Sequence, residues 1–369
     1  MDKIISTVLF KQSHLSLVKD LIKRKEKIYL VMGNVSCDMD SVMSSFLLSF
    51  CLSKKYEGRL VLPLINSEED GLRARKDIAF MLKEYSVELS GLLYYKEFMN
   101  MGYEHFDLYL VDHNELDINQ THLHKNVKGV MDHHKDNCNF ADLLFRAIKP
   151  ASSAISVIYE CYNCLLSPED KVFFSKMILS TFYLDTNGYL DCFYNVKFFD
   201  KDIEIRDELE ELNKKGMDEQ YYKDLSQIKK SSFDINNNPF KSLLDLDYKN
   251  YSYSDCKYGI SSLMMTLEDV REKNSNETVL GLINDFLLQK SLDFHISFFH
   301  AFKGEKMVKQ MLIVSNGFSG YSQFISKVEG LDFVEKKEEF YCEGKSVLFN
   351  LINTKYTRKT AEPILRGLI

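Results

Sequence analysis

One stretch, Gly33-Asn34-Val35-Ser36-Cys37-Asp38-Met39-Asp40-Ser41, constrains this chain more than any other. It stands between an apolar run, Ile28-Tyr29-Leu30-Val31-Met32, and an apolar helical pattern carrying Val42, Met43, Phe46, Leu47 and Phe50. A buried strand that turns directly into a helix belongs in an α/β sheet, which presents its site at the carboxyl ends of its strands. Asp38 and Asp40 are two residues apart on that turn, where their mutual repulsion is costly unless a cation neutralises it. The spacing suits a hard divalent metal. For one Asp taken alone, the plainer alternative is a cap on the helix that begins near Ser41.

The same grammar recurs three times downstream. The β-like run Phe106 to Val111 ends in Asp112-His113-Asn114-Glu115, and the shorter run Val127 to Met131 ends in Asp132-His133-His134. Met177 to Leu184, helix or strand, ends in Asp185-Thr186-Asn187-Gly188. Four acidic or His-bearing clusters, each just past an apolar run, would converge at one edge of a parallel sheet. There they would offer carboxylate and imidazole ligands to more than one metal ion.

The order GNxSxDxDS, VDHNE, DHH and LDTN resembles the DHH phosphoesterase superfamily, in the branch that holds family II inorganic pyrophosphatases, eukaryotic exopolyphosphatases and prune proteins. Pyrophosphatases of that branch begin the first motif with Gly-His and carry Pro before the first Asp; Asn34 and Cys37 stand there instead, as on the exopolyphosphatase and prune side. Prune proteins often have Asp-His-Arg at the third motif, whereas both His133 and His134 are kept. The pattern is most similar to cytosolic exopolyphosphatases of the yeast type.

This resemblance implies a fold and a set of roles. The fold is α/β: an N-terminal doubly wound, mainly parallel DHH domain, then a smaller C-terminal α+β lid domain, with the active site in the cleft between them. Two divalent ions, Mg²⁺ or Mn²⁺ with Co²⁺ also admissible, would be held by Asn34, Asp38 and Asp112 on one side and by Asp40, Asp112, His133 and Asp185 on the other. Asp112 would bridge them, His134 would donate a hydrogen bond to the phosphate or leaving oxygen, and His113 would orient the ligands. In the second domain the DYK match places Lys249, and the TRK match places Arg358 and Lys359, as phosphate-binding residues. Arg grips a phosphate with two parallel N–H bonds while Lys acts as a point charge, a mixture suited to a polyanion held in one orientation.

The implied activity is metal-dependent removal of terminal orthophosphate from linear polyphosphate. Alternatives are a pyrophosphatase, a nucleotide or short-oligonucleotide phosphoesterase, and a prune-like interaction protein with residual hydrolysis.

Length and composition agree with such a chain. Its 369 residues suit two domains, which we place at 1–215 and 216–369 by a break in helical pattern near Gly216. Hydrophobic residues at 45% and aromatics at 13% describe a folded protein, and a net charge of −7 argues against a general nucleic-acid binder. No apolar run reaches the roughly 20 residues needed to span a bilayer, and Met1 to Lys11 lacks the marks of a secretory signal. The expected compartment is the cytoplasm, with the eight cysteines as free thiols.

Along the chain, helices are expected over Lys11–Lys27, Gly71–Tyr85, Pro150–Leu165 and most of Asp200–Ser231, then Glu277–Lys290. Strands are expected at Leu60–Ile65, Tyr258–Met264, and within Ser291–Phe302 and Lys306–Ser315. The helix opened by Ser152 and Ser153 either meets a phosphate with its N–H groups or is plainly Ser-capped. His122 and His124 are expected in an exposed loop.

Overall fold

A computed structural model describes residues 3–56, 58–190, 193–213, 217–236, 238–304, 306–340, 345–353 and 355–369, in two compact units, Met1–Lys229 and Lys230–Ile369. The first is built on a five-stranded parallel sheet of β1 (Ile28–Met32), β2 (Val61–Leu64), β3 (Phe106–Val111), β4 (Val127–Asp132) and β5 (Phe145–Ile148), in the order β2-β1-β3-β4-β5. Strands buried on both faces read as continuous apolar runs, which is why β1 to β4 were visible in the sequence. Pro63 is accommodated because β2 is an edge strand and pairs with β1 alone. The order reverses between β1 and β3, a topological switch point of the kind at which ligands bind in open α/β sheets.

The helix after β1, Met39–Lys55, has 15 of its 17 residues buried, so it is a core helix rather than an amphipathic surface one. Two of its buried serines are satisfied within the helix, Ser44 donating to Asp40 and Ser45 to the Val42 carbonyl. It packs on β1 and β2 and on the helices Ala154–Tyr162 and Pro168–Asp185. The core continues through Phe46, Phe50, Phe174 and Phe182.

The second unit holds a mixed sheet ordered β10-β11-β9-β8-β7-β6, made of β6 (Tyr248–Tyr253), β7 (Cys256–Leu263), β8 (Phe294–Lys303), β9 (Lys306–Ser315), β10 (Val334–Phe340) and β11 (Lys345–Leu351). Only β7 and β8 run parallel. One face, with Tyr258, Ile260, Phe294, Ile296, Met311 and Phe349, packs on Phe324, Val328, Ala361 and Leu365 of the helices Tyr321–Glu329 and Arg358–Arg366. From the other face, Phe286 of the helix Asn276–Lys290 meets Tyr248 and His295.

Several helical expectations need correction. Lys11–Lys27 is not one helix: Lys3–Lys11 ends, Ser13 caps a new start with a bond to the Ser16 N–H, and His14–Lys23 follows. Gly71–Tyr85 breaks at Arg75 into Glu69–Ala74 and Lys76–Glu84. Asp200–Ser231 is two helices, Asp200–Leu212 and Glu219–Ser231; the boundary sought near Gly216 falls outside the described residues. Met177–Leu184 is the second half of the helix Pro168–Asp185, which opens on a capping box between Ser167 and Asp170. Strands β10 and β11 were not anticipated. β10 reads Val-Glu-Lys-Lys-Glu-Glu-Phe, the charged composition that keeps an edge strand from pairing with another chain. Among the described residues no helix is long and apolar enough to cross a membrane.

Candidate metal centre

The first motif folds as a tight bracket against the start of its helix. A Cβ on Gly33 would sit 2.7 Å from the Ser41 Cβ and 2.8 Å from the Ser41 carbonyl oxygen, so only glycine fits. Asn34 then closes the turn: its Oδ1 accepts from the N–H groups of Ser36 (2.8 Å) and Cys37 (3.2 Å), and Cys37 takes a left-handed φ of 50°. The buried Arg75 donates to the Ser36 carbonyl from outside the bracket. Asp38 is the helix N-cap, accepting from the Ser41 N–H at 3.1 Å, and Asp40 is buried in the first turn.

Asp112 follows β3 at the switch point, in a left-handed conformation with φ of 60°. Its Oδ2 accepts from Asn34 Nδ2 and Ser41 Oγ, both at 2.6 Å. Its Oδ1 faces His133 Nε2 and His134 Nδ1, each at 3.4 Å. His133 Nε2 is also 3.7 Å from Asp40 Oδ2. The other ring nitrogen of His133 lies 3.1 Å from the Ala151 carbonyl oxygen, which fixes the proton on Nδ1 and leaves the Nε2 lone pair toward the two carboxylates. This is the arrangement of a metal-ligating imidazole, oriented by a backbone acceptor behind it.

Asp40 is held from the opposite side. Its Oδ2 accepts from the Ala154 N–H at 2.6 Å and its Oδ1 from the Ile155 N–H at 3.0 Å. The opening N–H groups of the helix Ala154–Tyr162 are therefore taken by a carboxylate, which displaces the phosphate reading; nor is Ser153 a side-chain cap. Burial, then the charges of Asp112 and Asp185, push the Asp40 carboxyl well above its ordinary range, with His133 opposing. Several carboxylates so close cannot all ionise without a cation. Asp185, the last residue of its helix, is thereby placed within electrostatic reach of Asp40.

Asp132 completes the group and was given no role by sequence reasoning. It is fully buried, and its Oδ1 accepts from His134 Nδ1 at 2.8 Å and from the N–H groups of His133 and His134. Its Oδ2 accepts from Asn114 Nδ2 at 2.6 Å. Burial pushes its carboxyl up, but the bond from His134 and the charges of both histidines outweigh that and hold it below the usual carboxylate range. One ligand atom from each of Asp112, Asp132, His133 and His134 lies within 4.8 Å of the others. The donor set, carboxylates with imidazole, fits a divalent ion such as Mg²⁺ or Mn²⁺.

Asn114 and Ser41 lie inside motif stretches and Arg75 within the helical stretch Gly71–Tyr85, yet their contacts depend on pairs distant in sequence. His113 donates from Nδ1 to the carbonyl of Val111 at 2.8 Å. His122 and His124 are exposed on a 3₁₀ turn, with His124 stacked on Phe140.

In the second unit, Arg358 opens the helix Arg358–Arg366 and donates from Nη1 to the Asp247 carbonyl (2.7 Å) and carboxylate (2.6 Å). Asp247 is two residues before Lys249, which lies half-buried on β6 opposite Ile260. The DYK and TRK stretches, 111 residues apart, thus meet. The backbone of Lys359 lies in the same helix; its side chain is outside the described residues.

Comparison with known proteins matches residues 28–185 to the DHH family, N-terminal domain, and residues 226–368 to the DHHA2 domain. A Schizosaccharomyces pombe protein provisionally named an exopolyphosphatase is 25% identical over 358 residues, covering 91% of this chain and 89% of that one. Rat exopolyphosphatase PRUNE1 is 23% identical over 270 residues, 72% of this chain and 57% of the rat protein. The chain spans little more than half the length of the rat and mouse proteins it matches. Among solved structures, a Methanococcus jannaschii protein provisionally named a family II inorganic pyrophosphatase has the same fold, with a TM-score of 0.62 at 19% identity over 92% of this chain and 98% of that one. Residues 28–185 are thus a DHH family N-terminal domain, followed along the chain by a DHHA2 domain over residues 226–368.

Proposed function

We propose that this protein is a metal-dependent exopolyphosphatase that releases terminal orthophosphate from linear polyphosphate. The observation that carries the reading is the orientation of His133, whose Nδ1 is held at the Ala151 carbonyl while Nε2 faces oxygens of Asp40 and Asp112 at 3.7 and 3.4 Å. Relatives named exopolyphosphatase support the substrate.

In this reading Asp40, Asp112, His133 and Asp185 would hold one divalent ion, and Asp38 and Asp112 would hold a second. Asn34 could join the second only by giving up the turn contacts of its oxygen, so we assign it to holding Asp112. Bound divalent ions would activate a water and neutralise charge on the transferred phosphoryl group. Asp112 keeps one oxygen toward the metal side because Asn34 and Ser41 occupy the other. Asp132 holds His134 by Nδ1, so in this reading Nε2 is the ring nitrogen that addresses a phosphate oxygen. Lys249, Arg358 and Lys359 of the second domain bind further phosphates, Arg358 being preset by Asp247. The six described cysteines are free thiols, which fits a cytoplasmic protein.

The test is phosphate release from long polyphosphate, tripolyphosphate, pyrophosphate and a dinucleotide, compared at one Mg²⁺ concentration. Turnover of polyphosphate at least about tenfold above the others in kcat/KM is expected, a difference of ~1.4 kcal/mol in transition-state binding. Pyrophosphate or dinucleotide as the best substrate would overturn the assignment.

A further inference from the structure

We infer that Asp202 is a positioning residue for the metal centre, acting through the turn 150–155; the inference rests on the reading that Asp40 and His133 hold an ion. That turn addresses both of them. The Ala151 carbonyl fixes the ring of His133, and the Ala154 and Ile155 N–H groups hold the two oxygens of Asp40. Ligands contributed by the β1 turn and by the end of β4 are thus oriented by one piece of backbone, Ala151 to Ile155. A shift of that piece moves both.

A second carboxylate besides Asp40, that of Asp202, also anchors the turn. Asp202 lies in the first turn of the helix Asp200–Leu212 and is 1% exposed. Its Oδ2 accepts from the Ser152 N–H at 2.9 Å, and its Oδ1 from Ser152 Oγ at 2.9 Å and Ser156 Oγ at 2.5 Å. A further bond, from the Phe199 N–H at 2.9 Å, fixes the carboxylate to its own helix. Both serines are buried. Removing Asp202 would leave the Ser152 N–H facing a void, and a buried N–H without an acceptor forces the backbone to move. The serine hydroxyls can turn elsewhere, but that N–H cannot. Groups standing behind metal ligands in this way typically set 10- to 100-fold in metal affinity.

The readout is Mn²⁺ binding by calorimetric titration, with no phosphate present. Asp202→Ala should weaken Mn²⁺ binding by about 10- to 100-fold. Asp202→Asn should stay within about threefold of the parent, because its amide oxygen can serve the two N–H groups while its NH₂ meets hydroxyls that can rotate to accept. Asp170→Asn serves as a control for lost stability. It breaks a buried pair with Lys54 at the opposite end of the helix from Asp185, 15 residues or roughly 22 Å away, and should leave Mn²⁺ affinity at the parent value. Parent-like affinity in Asp202→Ala, or an equal loss in Asp170→Asn, overturns the inference while leaving the metal centre standing. If Asp202→Ala does not fold, Asp202→Leu, which fills the space but likewise offers no acceptor to the Ser152 N–H, decides, with a loss of affinity expected and no loss counting against. A parent protein that binds no Mn²⁺ removes the metal reading itself, and the inference with it.

Discussion

Asp112→Asn separates the fold from the metal centre most cleanly. The amide oxygen of the substituted residue can take the place of Oδ2 and keep the bonds from Asn34 and Ser41, so the scaffold contacts survive. What changes is the other position, where an NH₂ group replaces the oxygen that faces His133 and His134. Loss of that negative charge also relieves Asp40, whose carboxyl is pushed up in part by Asp112. The metal-free variant should therefore melt at or slightly above the parent temperature. Added metal tells the opposite story. At a metal concentration 100 times the dissociation constant, binding stabilises the parent by about 2.7 kcal/mol. A hundredfold loss of affinity reduces that to about 0.4 kcal/mol, so the variant should forgo roughly 5–9 °C of the metal-induced rise in melting temperature. Phosphate release from polyphosphate should fall by about 10³-fold or more, equivalent to ~4 kcal/mol of lost transition-state stabilisation. The assay pairs thermal melts with and without Mn²⁺ and phosphate release at saturating metal. A variant that melts like the parent, keeps the full metal-induced shift and turns over at near-parental rate would refute the bridging role.

Three further outcomes follow from other contacts. Asn34→Ala removes the Nδ2 donor to Asp112 and should raise the metal concentration for half-maximal activity several-fold, at a cost of about 1 kcal/mol, without changing the ratio of Mn²⁺ to Mg²⁺ activity; a tenfold change in that ratio would instead make Asn34 a ligand. Lys249→Ala and Arg358→Ala should each raise KM for polyphosphate by about tenfold with a smaller effect on kcat, and the defect should grow with salt; parent-like KM in both would remove the second domain from substrate binding. His295 is fully buried between Ser261 and Ser297, and burial lowers its pKa to about 3. The unfolded chain therefore takes up a proton that the folded one refuses, so this contribution to stability is complete above about pH 6.5 and is lost at about 1.4 kcal/mol per pH unit as pH falls toward 3. His14, lowered to about 4 by burial, behaves alike down to that pH. Urea unfolding at pH 7.5 and pH 5 should show His295→Gln losing about 2 kcal/mol less than the parent over that range; an identical loss would contradict the buried neutral state.

The strands of the first sheet could be read because burial on both faces keeps them largely apolar, with only Asp107 and Lys128 interrupting the early part of β3 and β4, so β1 to β4 stand out as apolar runs. Helix breaks were harder. The interruption at Arg75 follows from that side chain being drawn onto the Ser36 carbonyl, 39 residues away, and no local pattern announces it. Strand β10 was hidden because an edge strand that must not pair further is written in charged residues, which look like a loop or a surface helix.

At the site, spacing placed Asp38 and Asp40 just past β1, Asp112 just past β3 and His133 just past β4, since the end of a strand is a position that the sequence states directly, whereas Asp185 closes a helix. How each side chain is used was decided in three dimensions. Asn34 has its oxygen committed to the turn and its NH₂ group to Asp112. Asp40 takes the N–H groups that open the helix Ala154–Tyr162. Asp132 becomes the partner of His134, and Asp202 the anchor of the turn that orients two ligands. The reason is physical: bonds within one motif, Asn34 with Ser36 or Asp132 with His134, span two residues, whereas those joining Asn34 to Asp112, Asp40 to Ala154 and Ile155, and Asp202 to Ser152 span 50 to 115 positions and depend on how elements pack, a property of the whole core.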